Sequence, residues 1–240
     1  MNIVIPASGQ GQRFVNAGFN KPKPFVPVDQ YMIIEHMLSV IPEKFSKSLI
    51  FTEQLIKENQ TVIKKLEAHA TILPIPSITD GPLRTAFNAL QRMNLVEGPI
   101  AFFNSDMVVK CDYDKFSKKL EENDGAIITF IEPDKDVNHW SFIKEKDGFL
   151  TDIVEKRRIS DTASLGVYGF KSADKFLSSA QQTFAYGKKQ NNEWYFSSLY
   201  NDFLEKNEEV FCMSVDKTDV ISLGTPFEVY KYMQSLLLAK

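Results

Sequence analysis

The 240-residue sequence has no long apolar run and no basic leader. No stretch approaches the roughly 18 consecutive apolar residues that a membrane-spanning helix needs. The first residues, Met1-Asn2-Ile3-Val4-Ile5, carry no positive charge ahead of their apolar side chains. We therefore expect a cytoplasmic protein without a membrane partner.

Cysteine and net charge are also scarce. Cys111 and Cys212 are the only two cysteines, and their spacing fits neither a zinc site nor a disulfide framework. We expect buried or inert thiols in a reducing compartment. The 28 Lys and Arg residues against 31 Asp and Glu give a net charge of −3. No bulk field favours nucleic acid, so a local site must hold any anionic ligand.

Short apolar runs alternate with amphipathic stretches along the chain, which is typical of an α/β protein. The first run, residues 2–6, lacks polar alternation, as expected for a strand covered on both faces of a parallel sheet. We expect a Rossmann-like, three-layer fold with a mixed, mostly parallel sheet flanked by helices. Further strands are predicted at residues 48–51, 70–73, 99–103, 126–131 and 210–215, and helices at 33–41, 54–68, 83–93, 113–123 and 227–238.

The middle of the chain has a different pattern. Residues 140–150 predict a β-hairpin whose turn is Lys146-Asp147-Gly148, so a small antiparallel element is expected there. Residues 134–138 and 186–192 are polar and predict loops. Because no linker or repeat is evident, we expect one domain over residues 1–240.

A glycine-rich loop, Ala7-Ser8-Gly9-Gln10-Gly11-Gln12-Arg13-Phe14, directly follows the first predicted strand. An α/β sheet opens its binding crevice at this end of a strand. Glycine lets backbone N–H groups approach phosphate oxygens, and Arg13 and Lys23 can neutralise the charges of a triphosphate. Prolines 22, 24 and 27 keep the segment around Lys23 extended, so that it can return the lysine to the loop.

Two common phosphate motifs are absent from this loop. A dinucleotide-binding loop needs a third glycine, and a P-loop needs Gly-Lys-Ser/Thr; the sequence has neither here. A simple turn with solvated Arg13 and Lys23 is the alternative interpretation of the loop. The Lys23 segment favours the polyphosphate interpretation.

These segments resemble the nucleotidyltransferase family that includes the sugar-1-phosphate nucleotidylyltransferases. That family begins with a strand, a Gly-x-Gly-x-Arg loop and a Lys-Pro-x-x-Pro-Val segment, which is Lys23-Pro24-Phe25-Val26-Pro27-Val28 here. Pro6 and Ser8 depart from the Leu and Ala that are usual in the family. The resemblance covers nearly the whole chain and implies an enzyme of this class.

A second matching segment is the glycine turn at residues 79–86, which the family places beside the nucleobase. A glutamine that often precedes this turn has no counterpart in residues 73–76, so the base stays open. The resemblance implies an NTP site made by Ala7, Ser8, Gly9, Gln10, Gly11, Gln12, Arg13, Lys23, Thr79, Asp80, Gly81, Thr85, Asn104 and Ser105.

The predicted strand at residues 99–103 ends in Asn104-Ser105-Asp106. Such a strand places a carboxylate at the edge of the sheet near the glycine loop. Mg²⁺ is commonly held by one or two carboxylates together with substrate phosphates. Asp106 is therefore the predicted metal ligand, and Mg²⁺ the predicted cofactor; Asn104 could support the same ion or a phosphate.

The acceptor site is implied by three further matching segments. Glu155-Lys156 matches a pair in which the glutamate contacts acceptor hydroxyls and the lysine holds the acceptor phosphate. The segments at residues 163–170 and 192–198 add Gly166, Tyr168 and Glu193. Arg13, Lys23, Asp106 and Lys156 are the predicted catalytic residues.

The last matching segment, residues 219–228, departs from the family at the metal site. The aspartate that normally supplies the second ligand is Ser222 here. Asp219 lies three residues away and would point to the opposite face of a regular strand. Either a bulge brings Asp219 to the ion, or Asp106, phosphates and water hold it.

The resemblance implies transfer of NMP from an NTP to a sugar 1-phosphate or similar phosphomonoester, with release of pyrophosphate. The product would be an activated precursor for surface or capsule polysaccharide. Three alternatives are a cytidylyltransferase for a phosphocholine-like acceptor, a non-catalytic nucleotide-binding or sugar-nucleotide-binding protein, and, ranked last, a glycosyltransferase. Residues 1–130 would mainly bind the NTP, 131–226 the acceptor, and 227–240 form a terminal helix, in a monomer or homodimer.

Overall fold

The computed structural model describes residues 1–92 and 97–238. Its strands and helices alternate, as the sequence predicts. The strands are β1 (Asn2–Pro6), β2 (Pro27–Val28), β3 (Tyr31–Met32), β4 (Ser46–Thr52), β5 (Thr71–Ile75), β6 (Ile100–Phe103), β7 (Met107–Val109), β8 (Gly125–Ile131), β9 (Ser141–Lys146), β10 (Phe149–Glu155), β11 (Thr162–Phe170), β12 (Val210–Ser214) and β13 (Val220–Ser222). The helices are α1 (Gln12–Asn16), α2 (Ile33–Val40), α3 (Glu53–Glu58), α4 (Gln60–Leu66), α5 (Pro82–Leu90), α6 (Tyr113–Glu122), α7 (Ala173–Tyr186), α8 (Phe196–Glu205) and α9 (Pro226–Leu238), with 3₁₀ turns at Lys23–Phe25 and Lys217–Asp219.

Nine strands form one mixed sheet in the order β5-β4-β1-β6-β11-β8-β12-β10-β9. Strands β5, β4, β1 and β6 are parallel neighbours, β11 runs antiparallel to both β6 and β8, and β12 is parallel to β8. Strand β10 is antiparallel to both β12 and β9, so seven of these nine strands share one direction and only β10 and β11 oppose it, which confirms the expected mixed, mostly parallel sheet. The carboxyl ends of β1, β6 and β8 consequently lie at one edge.

Helices cover both faces of this sheet. Successive residues of β6 point to opposite sides, since Phe103 joins one buried cluster and Phe102 the other. The first cluster packs against α1, α2, α4, α6 and α9, and the second against α5, α7 and α8. The expected three-layer α/β architecture is confirmed.

The predicted helix at residues 54–68 is wrong as a single element. It is divided into α3 and α4 at Asn59, whose backbone leaves the helical region and whose side-chain amide donates to the Leu55 carbonyl at 2.9 Å. Asparagine competes with the helical hydrogen-bond pattern in this way. The end of another predicted helix, Met93, lies outside the described residues.

Helices α7 and α8 were not predicted from the sequence, although α7 has a recognisable start. The Ser172 hydroxyl accepts a hydrogen bond from the Lys175 amide at 3.1 Å, which is an ordinary N-cap. Helix α8 matters for the site, because its first residue, Phe196, stacks on Phe102 with ring centroids 4.8 Å apart. This packing places the neighbours of Phe196 at the edge of the sheet.

Cys111 and Cys212 are both unpaired, and burial raises the pKa of Cys111 to about 12 and that of Cys212 still further. Both thiols are thus protonated at neutral pH. Within the part of the chain that the structure describes, no helix combines the length and apolar character needed to cross a bilayer.

Candidate active site

A cleft of about 970 Å³ opens at the edge where β1, β6 and β8 end. Arg13 from α1 and Asp106 after β6 line it on one side. Lys156 after β10 and Tyr168 of β11 line another part. The tertiary structure thus brings candidate residues from both halves of the chain to one cavity.

Gly11 sets the distance between the glycine loop and the lysine segment. It precedes α1 with φ of 62°, a left-handed conformation that favours glycine. A Cβ at Gly11 would stand 2.7 Å from the Cβ of Lys23. The glycine therefore lets the Lys23 segment pack directly on the loop. Gly9 has open space on the side where a Cβ would lie.

Lys23 reaches across the sheet edge to Asp106. Its ammonium group donates a hydrogen bond to Asp106 Oδ2, and each side chain is 20% exposed. The two predicted catalytic groups are 83 residues apart in sequence and adjacent in the fold. Arg13 is exposed on α1 and lines the cleft.

Hydroxyl groups join the glycine loop to the turn at residues 79–85. Ser8 Oγ lies 3.4 Å from Thr85 Oγ1, which lies 2.7 Å from Thr79 Oγ1. Thr79 in turn donates to the Gly81 carbonyl at 3.0 Å. Two separate segments of the predicted NTP site are thereby held together.

The same turn packs against the segment that precedes α8. Gly81 has φ of 127°, and a Cβ there would stand 2.5 Å from the backbone N and O of Trp194. The Asp80 carboxylate lies 2.6 Å from Lys189 Nζ. Although burial opposes ionisation, the hydrogen bond and charge of Lys189 keep the pKa of Asp80 below its usual value.

Gly166 makes room for Asn104 at the centre of the cleft. It has φ of 71° and lies where the β8–β11 register shifts. Its carbonyl accepts the Asn104 amide at 2.9 Å, and a Cβ at Gly166 would stand 2.1 Å from Asn104 Nδ2. Asn104 and Gly166 both line the cleft; Ser105 is half-buried in the turn before Asp106.

Glu155 is held by hydroxyl groups from two other elements. Its Oε2 accepts hydrogen bonds from Ser141 Oγ and, at 2.9 Å, from Ser197 Oγ. Ser141 Oγ lies 3.0 Å from the Tyr168 hydroxyl. Burial first, and the negative charge of Glu155 second, raise the pKa of Tyr168 well above its ordinary value. Tyr168 is therefore a neutral hydroxyl in this cluster.

Lys156 adopts a left-handed backbone with φ of 53°, which is uncommon for a residue other than glycine, asparagine or aspartate. Its amide donates to the Trp140 carbonyl at 2.9 Å. Its Nζ donates to the Tyr195 hydroxyl at 2.6 Å and lies 4.5 Å from the centre of that ring. Tyr195 donates to Glu193, so the predicted acceptor residues Lys156 and Glu193 share one partner.

Sequence reasoning did not single out Tyr195, Ser141 or Ser197. All three belong to stretches quoted for the resemblance or the hairpin, but nothing in a serine or tyrosine alone marks it as a partner of Glu155 or Lys156. Their role depends on α8 packing across the sheet. Burial of the Tyr195 ring, and its bond to Glu193, raise the pKa of that hydroxyl well above normal.

The loop at residues 134–140 borders the cleft and is anchored by Arg158. The guanidinium donates to the carbonyls of Asp134 and Glu132 at 2.7 and 2.6 Å. The Glu132 side chain is 2% exposed; it accepts from Trp140 Nε1 at 3.1 Å and from Lys217 Nζ at 2.6 Å. Sequence reasoning missed Glu132 and Arg158. Asp134, His139 and Trp140 line the cleft.

The second acidic ligand is not replaced by Asp219. Strands β7 and β13 pair so that Ser222 lies opposite Met107, next to Asp106. The Asp219 carbonyl accepts the Lys110 amide at 2.9 Å, at the other end of the pair. The structure brings Ser222 to the cleft and does not bring Asp219 to Asp106. In the described ranges, no three His, Cys, Asp or Glu side chains form a cluster able to hold a metal ion.

The fold and the cleft define an α/β protein with its candidate site at the carboxyl edge of a mixed sheet. The family model described as "Nucleotidyl transferase" matches residues 2–219. This chain belongs to the nucleotidyl transferase family, and it is a nucleotidyltransferase enzyme. The resemblance seen in the sequence is confirmed. A search of curated proteins found no significant match.

Several solved structures share the fold. The nucleoside-diphosphate-sugar pyrophosphorylase from Vibrio cholerae RC9 has a TM-score of 0.84 and 23% identity, with 97% of this chain and 99% of that one covered. The UDP-glucose pyrophosphorylase complexed with UDP-glucose has a TM-score of 0.78 and 13% sequence identity, and the match covers 100% of this chain and 99% of that one. The inositol-1-phosphate CTP transferase from T. maritima has a TM-score of 0.75 and 14% sequence identity, and the match covers 98% of this chain and 95% of that one.

Proposed function

We propose that this enzyme transfers NMP from an NTP to a sugar 1-phosphate or a similar small phosphomonoester and releases pyrophosphate. One observation carries the proposal: a single cleft is lined by Arg13 and by Asp106, the partner of Lys23, on one side, and by Glu155 and Lys156 on the other. A phosphate donor and a phosphate acceptor both need cationic groups, and here they would meet in one cavity. The titles of the similar structures name pyrophosphorylases and a CTP transferase.

In the proposed reaction, an oxygen of the acceptor phosphate attacks the α-phosphorus of the NTP. The new P–O bond forms as the bond between the α-phosphorus and its bridging oxygen to the β-phosphorus breaks, and the electron pair leaves with pyrophosphate. The acceptor phosphate is already ionised at neutral pH, so no protein nucleophile is needed. Arg13 and Lys23 would neutralise the triphosphate, and Lys156 would hold the acceptor phosphate.

The end of β6 fits a hard divalent cation. Asp106 offers carboxylate oxygens at the cleft, and Oδ2 binds the ammonium group of Lys23. Phosphate oxygens and water would supply most of the remaining coordination. Mg²⁺ bound at this position would neutralise charge on the triphosphate during transfer.

The proposed division of labour places NTP binding mainly in residues 1–130 and acceptor binding mainly in residues 131–226, with 227–240 as the terminal helix. Cytoplasmic NTP would supply the reaction, and the activated product would serve surface polysaccharide synthesis. A monomer or a homodimer could carry it out, since the cleft residues belong to one chain.

One observation favours a second acceptor class. Aromatic rings of Trp140, Tyr168 and Phe196 line the acceptor side together with the carboxylates Glu132 and Glu155. Aromatic faces and carboxylates attract quaternary ammonium groups, which would suit a phosphocholine-like acceptor. This second candidate uses the same transfer chemistry.

A substrate panel tests the proposal. CTP, UTP, dTTP and GTP would each be combined with sugar 1-phosphates, inositol 1-phosphate and phosphocholine, and pyrophosphate release would be measured. We expect one NTP and one acceptor to react together and neither to react alone. If no pair reacts while one NTP raises the melting temperature, the protein binds nucleotide without the proposed catalysis.

A paired substitution checks the site within the same assay. Lys23→Ala should lower turnover about 100- to 1000-fold, because a charge that stabilises the transferring phosphate is lost. Lys21→Ala removes an exposed lysine two residues away and should leave turnover unchanged. Equal activity of both variants would contradict the assignment of Lys23, provided both retain the wild-type melting temperature.

A further inference from the structure

The position next to Asp106 that usually carries an acid is Ser222 in this chain, yet a second carboxylate lies close by. Glu228, in the first turn of α9, lines the same cleft as Asp106. Glu228 is 122 positions after Asp106 in the sequence and six residues after Ser222, so the family pattern does not identify it. The tertiary structure decides that the two carboxylates are neighbours.

Gly224 marks the space that the two carboxylates share. A Cβ on Gly224 would stand 2.8 Å from Asp106 Oδ2 and 3.4 Å from Glu228 Oε2. Gly224 does not have the left-handed backbone that favours glycine. A side chain here would displace the Asp106 carboxylate and crowd that of Glu228.

Thr225 fixes the orientation of Glu228. Its hydroxyl donates to Glu228 Oε2 at 2.9 Å and accepts the Glu228 amide at 3.2 Å. The backbone beside Gly224 is fixed as well, since the Leu223 amide donates to the Asp106 carbonyl at 2.8 Å. The two carboxylates are thus held on elements that are tied to each other.

Among the described residues, only one of the two carboxylates forms an ion pair. Lys23 is the cation bound to Asp106 Oδ2, the oxygen that faces Gly224. Within residues 1–92 and 97–238, Glu228 forms no ion pair. Lys231, three residues after Glu228, lines the same cleft. A divalent cation arriving with phosphates would bind the Glu228 carboxylate that the described residues leave outside an ion pair.

We propose that Glu228 is the second carboxylate ligand of the catalytic divalent cation and replaces the acid that is missing at Ser222. This rests on the proposed function only in so far as the cation belongs to the Asp106 site. The alternative is that Glu228 caps α9 through Thr225 and does nothing else.

Binding of Mn²⁺ to the full chain, measured from the free-ion electron paramagnetic resonance signal, tests the proposal without any acceptor. Glu228→Gln keeps an oxygen that can accept from Thr225 but removes the charge. We expect Glu228→Gln to weaken Mn²⁺ binding at least about tenfold, and we expect a similar loss for Asp106→Ala. Glu35→Gln is the matched control, since Glu35 caps the first turn of α2 and accepts the Met32 amide at 2.8 Å; it should bind Mn²⁺ as the wild type does.

Rescue separates ligation from capping. Adding Ser222→Asp to Glu228→Gln should restore Mn²⁺ affinity, because residue 222 lies beside Asp106 in the β7–β13 pair. Wild-type affinity in Glu228→Gln, or a loss that Ser222→Asp does not restore, would overturn the proposal. The proposal would also be overturned if the wild type bound no Mn²⁺ either in the absence or in the presence of an NTP. If Mn²⁺ binds as expected but no NTP and acceptor pair releases pyrophosphate, the proposed function fails and the ligand assignment stands.

Discussion

Glycines determine which polar side chains can approach one another at the candidate site. Gly11 lets the Lys23 segment approach the loop, and Gly166 leaves space for Asn104. In both places an added Cβ would collide with the neighbour that the glycine admits. At the residue scale, the site is therefore shaped by absent side chains as much as by charged ones.

Tyr195 is the residue whose role can be tested most directly. Its hydroxyl accepts from Lys156 Nζ at 2.6 Å. Tyr195→Phe should raise the acceptor KM about tenfold with the NTP KM unchanged, because a hydrogen bond to a charged group contributes about 1.5–3 kcal/mol. Initial rates with the acceptor varied would measure this.

The control for Tyr195 is Tyr186→Phe at the end of α7, where the side chain is 88% exposed. It should leave both KM values unchanged. An unaltered acceptor KM in Tyr195→Phe, or an equal rise in the NTP KM, would show that Tyr195 does not position Lys156.

At the element scale, the site depends on how helices are joined to the segments around them. The turn before α5 packs on the segment before α8, since the Trp194 amide donates to the Asp80 carbonyl at 2.7 Å and the Leu83 amide donates back to the Trp194 carbonyl at 3.1 Å. Gly81 lies at this contact. The contact links the turn that is proposed to lie beside the nucleobase to the segment that carries Tyr195.

Gly81→Ala should destabilise the fold by about 3 kcal/mol, since it adds both backbone strain and a clash with the Trp194 backbone. Gly18 also has a positive φ, 85°, but an added Cβ there would meet nothing within 4 Å, so Gly18→Ala tests strain without a clash. It should cost about 1 kcal/mol. Urea unfolding of both variants would measure the difference, and equal losses would show that the Trp194 contact has no energetic role.

At the scale of the whole molecule, paired carboxylates determine how the fold responds to acid. Glu35, Asp80, Glu132 and Asp161 each have a pKa below the ordinary value. For Glu132, burial opposes ionisation, but the hydrogen bonds from Lys217, the Asp134 amide and Trp140 outweigh it. A carboxyl group with a lower pKa in the folded state binds protons more weakly there than in the unfolded chain.

The melting temperature should therefore hold from neutral pH to about pH 5 and fall below it, as the unfolded chain takes up protons near the ordinary values of 4.5 for Glu and 3.8 for Asp. Glu132→Gln should be less stable than the wild type at pH 7, and the gap should narrow as the pH falls below 4.5. Glu121→Gln, at an exposed position on α6, is the control. A constant gap for Glu132→Gln across this range would contradict the role given to its charge.

The sequence by itself determined the features that depend on near neighbours. The buried strand followed by the Gly9–Gly11 loop, the Lys23 segment and the strand ending at Asp106 were predictable, because strand and turn preferences act over a few residues. The family and the α/β fold followed from the order of these segments. The division of the helix at Asn59 was missed, since a side-chain to backbone bond there competes with helix formation.

Only the tertiary structure decided which of these residues meet. Lys23 reaches Asp106 because β1 and β6 are neighbours in the sheet. Ser197 reaches Glu155 because α8 packs across the sheet. Ser222 and Glu228 illustrate the difference: the sequence shows that the usual acid is missing, and the fold brings another carboxylate to Asp106. Contacts between distant residues are set by strand order and by the space that glycines leave, and neither can be derived from residue preferences along the chain.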